Sequence, residues 1–235
     1  MNIKICDDNY TIDEKIDNLL DILHYIKQHH NQSLTYRYSC KSGICGSCAV
    51  RVNGVEKLAC LTNIKEQSEI LPLKNLPIIK DLVVNNTNIP SNLTKSAAYL
   101  EQLSSENNIT QEDIEKIDIN SNCILCNSCY SSCPVLEINQ DFIGPFALAR
   151  VYRYTTDKKE TTYSTKLNSI QTNGVWDCTL CGACDLVCPA NIPIKDSIIA
   201  LQNLSVQNGY ENPAFSSNSF DMGFQSDFGF DPNSF

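Results

Sequence analysis

Cys123-Ile-Leu-Cys126-Asn-Ser-Cys129-Tyr-Ser-Ser-Cys133-Pro134 and, about fifty residues later, Cys178-Thr-Leu-Cys181-Gly-Ala-Cys184-Asp-Leu-Val-Cys188-Pro189 share one spacing, C-x2-C-x2-C-x3-C-P. Chains that hold two iron–sulfur cubes use that spacing. Three closely spaced thiolates on a winding loop cap three corners of one cube. The chain then turns away, so the fourth cysteine of each run reaches the other cube. Proline after that cysteine removes an N–H and fixes the backbone as it leaves. Structural zinc is the plainer use of CxxC pairs, but zinc takes four ligands and gives no reason for a repeated third and fourth cysteine. On this reading Cys123, Cys126, Cys129 and Cys188 form one set, and Cys133, Cys178, Cys181 and Cys184 the other.

Working outward, 235 residues allow one or two domains with real cores. The net charge is −9, and no basic cluster exceeds Lys158-Lys159. Phosphate binding needs concentrated Lys and Arg, so a nucleic-acid partner is not expected. Twelve of the thirteen cysteines fall into three groups of four, which leaves Cys6. It follows Ile3 and Ile5 on an expected first strand and reads as a buried thiol. Thiolates waiting for clusters imply a reducing compartment. Met1-Asn-Ile-Lys-Ile-Cys-Asp-Asp lacks the regions of a signal peptide. No apolar stretch has the length of a bilayer span, so membrane attachment is expected only through a partner.

Before the cubane runs, residues 1–6 and 9–14 read as a hairpin through Asp7-Asp8-Asn9. Leu19, Ile22, Leu23 and Ile26 then recur at helical spacing, with Asp17 or Asn18 placed as a cap. His24, His29 and His30 receive no role. Next comes Cys40-Lys-Ser-Gly43-Ile-Cys45-Gly46-Ser-Cys48, followed by Cys60. This C-x4-C-x2-C plus a distant cysteine is the plant-type [2Fe-2S] spacing. Gly43 and Gly46 let the backbone bend closely and point N–H groups at sulfur. Asn53-Gly54 between strand residues predicts a hairpin that returns Cys60 to Cys48. Strand, helix and hairpin in this order suggest a β-grasp ferredoxin domain ending near Leu71-Pro72.

Residues 85–95 are polar and interrupted by Pro90, as an inter-domain connection would be. A helix is expected from about 96 through Ala97, Ala98, Leu100 and Leu103. A second starts at the capping signature Thr110-Gln-Glu-Asp113 and continues through Ile114 and Ile117. Further helices are expected over 144–157 and from Lys195 to about Leu204. Arg150 and Arg153 read as structural pairing residues. From Gln207 the composition changes: six of the eight phenylalanines lie between Phe215 and Phe235 among Ser, Asn, Asp and Gly. Alone, such a tail buries too little surface to order itself; docking on a partner subunit is the sharper expectation.

Together these motifs resemble the iron–sulfur subunit of succinate dehydrogenases and fumarate reductases. The likeness lies in Ser39–Cys48, in Leu76-Pro-Ile-Ile-Lys-Asp81-Leu-Val-Val84, in Gly144-Pro-Phe-Ala-Leu-Ala-Arg-Val-Tyr152-Arg153 and in Gly174-Val-Trp-Asp-Cys178. The resemblance implies an α+β chain. An N-terminal β-grasp [2Fe-2S] ferredoxin domain (1–84) precedes an all-α two-cubane ferredoxin domain (85–206), with a flexible aromatic and polar tail (207–235). It implies single-electron transfer between the FAD of a flavoprotein subunit and quinone at a membrane-associated subunit, with no catalytic residue in this chain. Cys40, Cys45, Cys48 and Cys60 would hold [2Fe-2S]; Cys123, Cys126, Cys129 and Cys188 the middle [4Fe-4S]; Cys133, Cys178 and Cys184 the third centre.

Two departures from the usual members sharpen this. They lack cysteine at the position of Cys181 and carry [3Fe-4S] there; here a second [4Fe-4S] is expected, the alternative being a three-iron centre with Cys181 as bystander. After Cys133 the chain reads Pro134-Val-Leu-Glu-Ile138, without the usual quinone-binding tryptophan, and Thr179 stands where many members have histidine. Both departures resemble the non-classical branch, including methylmenaquinol:fumarate reductases, whose third subunit is cysteine-rich and heterodisulfide-reductase-like. The expected location is peripheral, on the cytoplasmic face of the inner membrane, or on the periplasmic face by co-export with the flavoprotein. The rival readings are an iron–sulfur subunit of a glycolate-oxidase-like or heterodisulfide-reductase-like complex, and a zinc-stabilised interaction protein.

Overall fold

The protein is described from a computed structural model covering residues 1–101, 103–105 and 108–215. Its first half is a five-stranded sheet wrapped on one helix. Strands β1 (Asn2–Ile5) and β2 (Asp8–Thr11) form an antiparallel hairpin. The turn falls at Cys6-Asp7, one residue earlier than the Asp7-Asp8-Asn9 expected, and Cys6 adopts φ +53 there. Cys6 is therefore a half-buried turn residue and not a buried strand thiol. Helix α1 (Leu19–His29) is capped by Asn18, whose Oδ1 accepts the N–H groups of Leu20 and Asp21 at 3.0 and 3.4 Å.

Strands β3 (Ala49–Val52) and β4 (Val55–Leu58) form the hairpin about Asn53-Gly54. Both turn residues have positive φ, +51 and +82, the requirement that makes Asn-Gly so strong a hairpin signal. Strand β5 (Ser68–Leu71) enters parallel to β1 and antiparallel to β3, giving the order β2-β1-β5-β3-β4 of a β-grasp sheet. Ile3, Ile5, Val50, Val52 and Ile70 meet Leu19, Leu20, Ile22, Leu23 and Ile26 in one core.

The segment that follows bridges the halves. Strands β6 (Ile78–Lys80) and β7 (Val83–Val84) pair in a small hairpin. Leu73, Leu76 and Val84 pack into the second core, while Leu82 packs into the first. The Asp81 carboxylate accepts the Thr35 N–H at 2.7 Å, which ties this hairpin to the loop after α1.

The second half is helical. Helix α2 spans Asn88–Lys95, where the sequence suggested a loop. Pro90 lies in its first turn, where a missing N–H costs nothing. Conversely, the helix expected from 96 is absent, because Ala97 turns the chain with φ +48. The carbonyls of Ala97 and Tyr99 instead accept Lys166 Nζ at 3.2 and 2.6 Å. Lys166 and Glu160 form an ion pair at 2.9 Å with both side chains fully buried. Burial pushes the Glu160 carboxyl up, but the N–H groups of Glu101 and Thr162, the Thr162 hydroxyl and Lys166 outweigh it and bring it to about 2.

Helix α3 (Gln111–Ser121) starts with the Thr110–Asp113 capping box. The short helices α4 (Ser128–Ser131) and α5 (Val135–Ile138) follow. Helix α6 (Pro145–Thr155) is the spine, burying Phe146, Ala147, Leu148, Ala149 and Val151. Around it lie α7 (Tyr163–Ser169), α8 (Ala183–Leu186) and α9 (Ile194–Gln207). Arg153 pairs with Asp157 at 2.8 Å and Arg150 donates to the Tyr154 hydroxyl at 3.0 Å, as structural pairing required. Among the described residues no helix is long and apolar enough to cross a membrane. Residues 216–235 of the tail, and with them its expected docking, lie outside the described residues.

Candidate iron–sulfur centres

The first site is built on one loop and the hairpin behind it. Lys41, Gly43 and Gly46 all have positive φ (+57, +74 and +71), which coils the backbone tightly. The coil aims the N–H groups of Ser42, Ile44 and Cys45 at Cys40 Sγ, at 3.4, 3.4 and 3.3 Å. Such donors stabilise a thiolate and tune a metal bound to it. Register pairing of Ala49 with Leu58 brings the hairpin end back, and Cys48 and Cys60 stand with their sulfurs 3.4 Å apart. Asn18 Nδ2 donates to the Cys60 carbonyl at 3.0 Å, so the helix cap also anchors the fourth cysteine. Hydrogen bonding by Ser47 and Cys40 lowers the Cys45 thiol to about 6, whereas burial lifts Cys48 to about 11. Ile44 and Leu61, 70% and 63% exposed, leave an apolar rim on the open side.

The two later runs repeat one backbone path. In the first, Leu125 and Asn127 have φ +53 and +65 ahead of α4; in the second, Leu180 and Gly182 have φ +54 and +78 ahead of α8. Asn127 is held in that conformation by amide hydrogen bonds with Asn86 and Asn88 at 3.1–3.3 Å. The runs interleave. Cys123, Cys126, Cys129 and Cys188 line one cavity, closed by Phe146, Ala149 and Ile192. Cys133, Cys178, Cys181 and Cys184 line a second, with Val135, Pro145 and Lys195. The fourth cysteine of each run thus sits with the first three of the other.

Burial raises the thiols of Cys123, Cys126, Cys129, Cys133, Cys178 and Cys184 above the ordinary cysteine value. A metal that binds here must displace their protons, so loading is coupled to proton release. N–H groups of Leu180 and Ile192 point at Cys178 Sγ and Cys188 Sγ, each at 3.4 Å. Among the described residues no three His, Cys, Asp or Glu side chains are grouped to hold a single metal ion. Four soft thiols around a cavity fit a larger iron–sulfur unit, capped at its corners, better than tetrahedral zinc. The histidines stay outside all three sites: His24 Nδ1 meets the Tyr36 hydroxyl at 2.6 Å and His29 Nδ1 the Tyr25 carbonyl at 3.0 Å.

Sequence reasoning missed the residues that join the sites. Gly46 packs directly on the first cubane loop; a Cβ there would stand 2.8 Å from Cys126 Cβ. Glu56 and Ser131, both buried, share a hydrogen bond of 2.7 Å across the two halves. Asn75 caps the carbonyls of Tyr130, Ser131 and Cys133 at 3.1–3.3 Å. The one available signal was Glu56 itself, a charge at an inward position of the alternating strand Val55-Glu-Lys-Leu58.

Comparison with known proteins agrees with this anatomy. Residues 3–91 match the family described as "2Fe-2S iron-sulfur cluster binding domain", and residues 119–192 match "4Fe-4S dicluster domain". The fumarate reductase iron-sulfur subunit of Escherichia coli O157:H7 is 36% identical over 200 residues, 81% of each chain. The 8-methylmenaquinol:fumarate reductase iron-sulfur subunit of Wolinella succinogenes is 32% identical over 84% of this chain and 66% of its own length. The solved "Mycobacterium smegmatis Sdh1 complex in the apo form" matches with a TM-score of 0.78 at 24% identity, over 89% of this chain and 97% of that one; it shows the shared fold. The chain belongs to the family of fumarate reductase and succinate dehydrogenase iron–sulfur subunits.

Proposed function

We propose that this chain relays single electrons between the FAD of a flavoprotein subunit and a quinone-reactive, membrane-associated subunit of a succinate dehydrogenase or fumarate reductase complex. The clusters, when bound, supply the one-electron chemistry. The chain's own work is to bind them, fix their spacing and set the polarity around them. Cys40, Cys45, Cys48 and Cys60 hold [2Fe-2S]; Cys123, Cys126, Cys129 and Cys188 hold one [4Fe-4S]; Cys133, Cys178, Cys181 and Cys184 hold a second. The exposed rim of Ile44 and Leu61 is the face assigned to the flavoprotein.

The observation that carries the finer reading is Cys181 lining the second cubane cavity beside Cys133, Cys178 and Cys184. A fourth thiolate at that corner favours a four-iron centre over [3Fe-4S]. Residues 134–138, after Cys133, lack the tryptophan that helps bind quinone in the usual members, and Thr179, in the second cubane cavity, stands where many of them have histidine. Quinone chemistry is then left to the membrane-associated subunit, a cysteine-rich, heterodisulfide-reductase-like one as in the non-classical branch. Attachment to the membrane is peripheral, through that subunit.

Anaerobic iron and sulfide analysis with low-temperature electron paramagnetic resonance tests the reading. About ten irons per chain are expected, two in one centre and four in each of the others. Cys181→Ser should bring this to about nine, with a three-iron signal in the oxidised state. Wild type already at nine with that signal removes the second [4Fe-4S]; colourless protein holding zinc removes the relay.

A further inference from the structure

Helix α4 serves both cubane cavities, as α8 does in reverse: Cys129 within α4 lines the first, and Cys133 just beyond it lines the second. Its end is gripped from the other half of the molecule. The Ser131 hydroxyl, in a residue 1% exposed, donates to Glu56 Oε1 at 2.7 Å and accepts the Lys74 N–H at 2.7 Å. Asn75, itself in the left-handed region at φ +59, donates its side-chain amide to the carbonyls of Tyr130, Ser131 and Cys133. Carbonyls at a helix end have no partner within the helix, and here a side chain from the bridging segment supplies it.

Glu56 is the unusual member of this grip. It lies on β4, points inward with Leu58 and is only 6% exposed. It also lines the groove that holds Ser128 and Cys188, the latter a member of the first cubane set. Lys74 Nζ turns instead to exposed Glu137 at 3.2 Å, so it does not neutralise Glu56. Arg51 is the residue opposite Glu56 on β3, and its Nε is buried without a hydrogen bond. A buried negative charge acts through a low-dielectric interior and opposes the arrival of a further electron nearby.

We propose that Glu56 is a positioning residue for the two cubane sites: through Ser131 it fixes α4, which serves both, and its buried charge holds their reduction potentials down. The inference rests on the cluster reading above, and the two fail separately. Absence of cubane signals in wild type would remove the cluster reading.

The test is redox titration of the iron-loaded complex, with each centre followed by its magnetic resonance signal. Glu56→Gln keeps an acceptor for Ser131 and removes the charge. It should raise the potential of at least one cubane centre by a tenfold change in its one-electron equilibrium, about 59 mV. The [2Fe-2S] signal in the same chain reports that the first half is folded. Loss of cubane iron with that signal intact would equally establish the positioning role. Ser131→Ala keeps the charge and removes the hydroxyl that shields it, so the cubane potential should move the opposite way. Full iron content with unmoved cubane potentials in either variant overturns the proposal.

Discussion

Cys40, Cys45, Cys48 and Cys60 come from one loop and the hairpin after it, whereas each cubane cavity takes three cysteines from one run and its fourth from another. The first site is arranged by local backbone: three N–H groups already converge on Cys40 Sγ, and Cys40 is an exposed residue. The second pair is arranged by tertiary packing, with Cys129, Cys133 and Cys184 each 7% exposed. A loop held by its own turns keeps its shape without a ligand. Cavities walled by buried thiols lose their centre of cohesion when the ligand leaves.

The largest consequence is an unequal response to iron removal. Chelation under reductant should strip amide-exchange protection from α3, α4, α6 and α8, while α1 and β1–β5 stay protected. Hydrogen exchange read by mass spectrometry checks this, and equal loss in both halves would break the contrast. Next in size is the buried ion pair of the helical half. Lys166→Met removes the cation paired with buried Glu160 and leaves its charge to neutral donors, at a cost of about 3–5 kcal/mol, read from the denaturant midpoint. Adding Glu160→Gln should recover part of that loss.

The smallest expected effect probes the seam between the regions. Gly43→Ala and Gly46→Ala meet the same backbone penalty at positive φ, about 1–2 kcal/mol. At Gly43 the new methyl meets only the Leu61 side chain, which is exposed and can turn aside. At Gly46 it meets Cys126 and the Ile124 carbonyl at 2.8–3.2 Å, which are fixed. Faster exchange at residues 123–127 should therefore appear in Gly46→Ala alone. The same rate in both variants would place the seam elsewhere.

What the sequence made legible follows the same division. Cysteine spacing, the Asn53-Gly54 turn, the Asn18 cap and the Thr110–Asp113 box are short-range signals, and each is where it was expected. Residues 85–103 differ from expectation for a definite reason: Pro90 falls in a first turn, where it breaks nothing, and the carbonyls around the bend at Ala97 are held by Lys166, far away in sequence. Asn75 and Ser131 give no signal for that reason too, and the inward charge of Glu56 marks its position without naming its partner. Their meaning lies in partners 55 to 75 residues distant, and no local pattern encodes those.

The exchange of fourth cysteines has a bearing on how the protein is made. A nascent chain has everything its first site requires once the strand ending at Leu71 has left the ribosome. Both later cavities need the second run: Cys133 waits until Cys184 has been translated, and Cys123, Cys126 and Cys129 wait until Cys188. On the proposed ligand sets, both cubes would therefore be loaded late and in close succession, onto a chain whose first half has already been made.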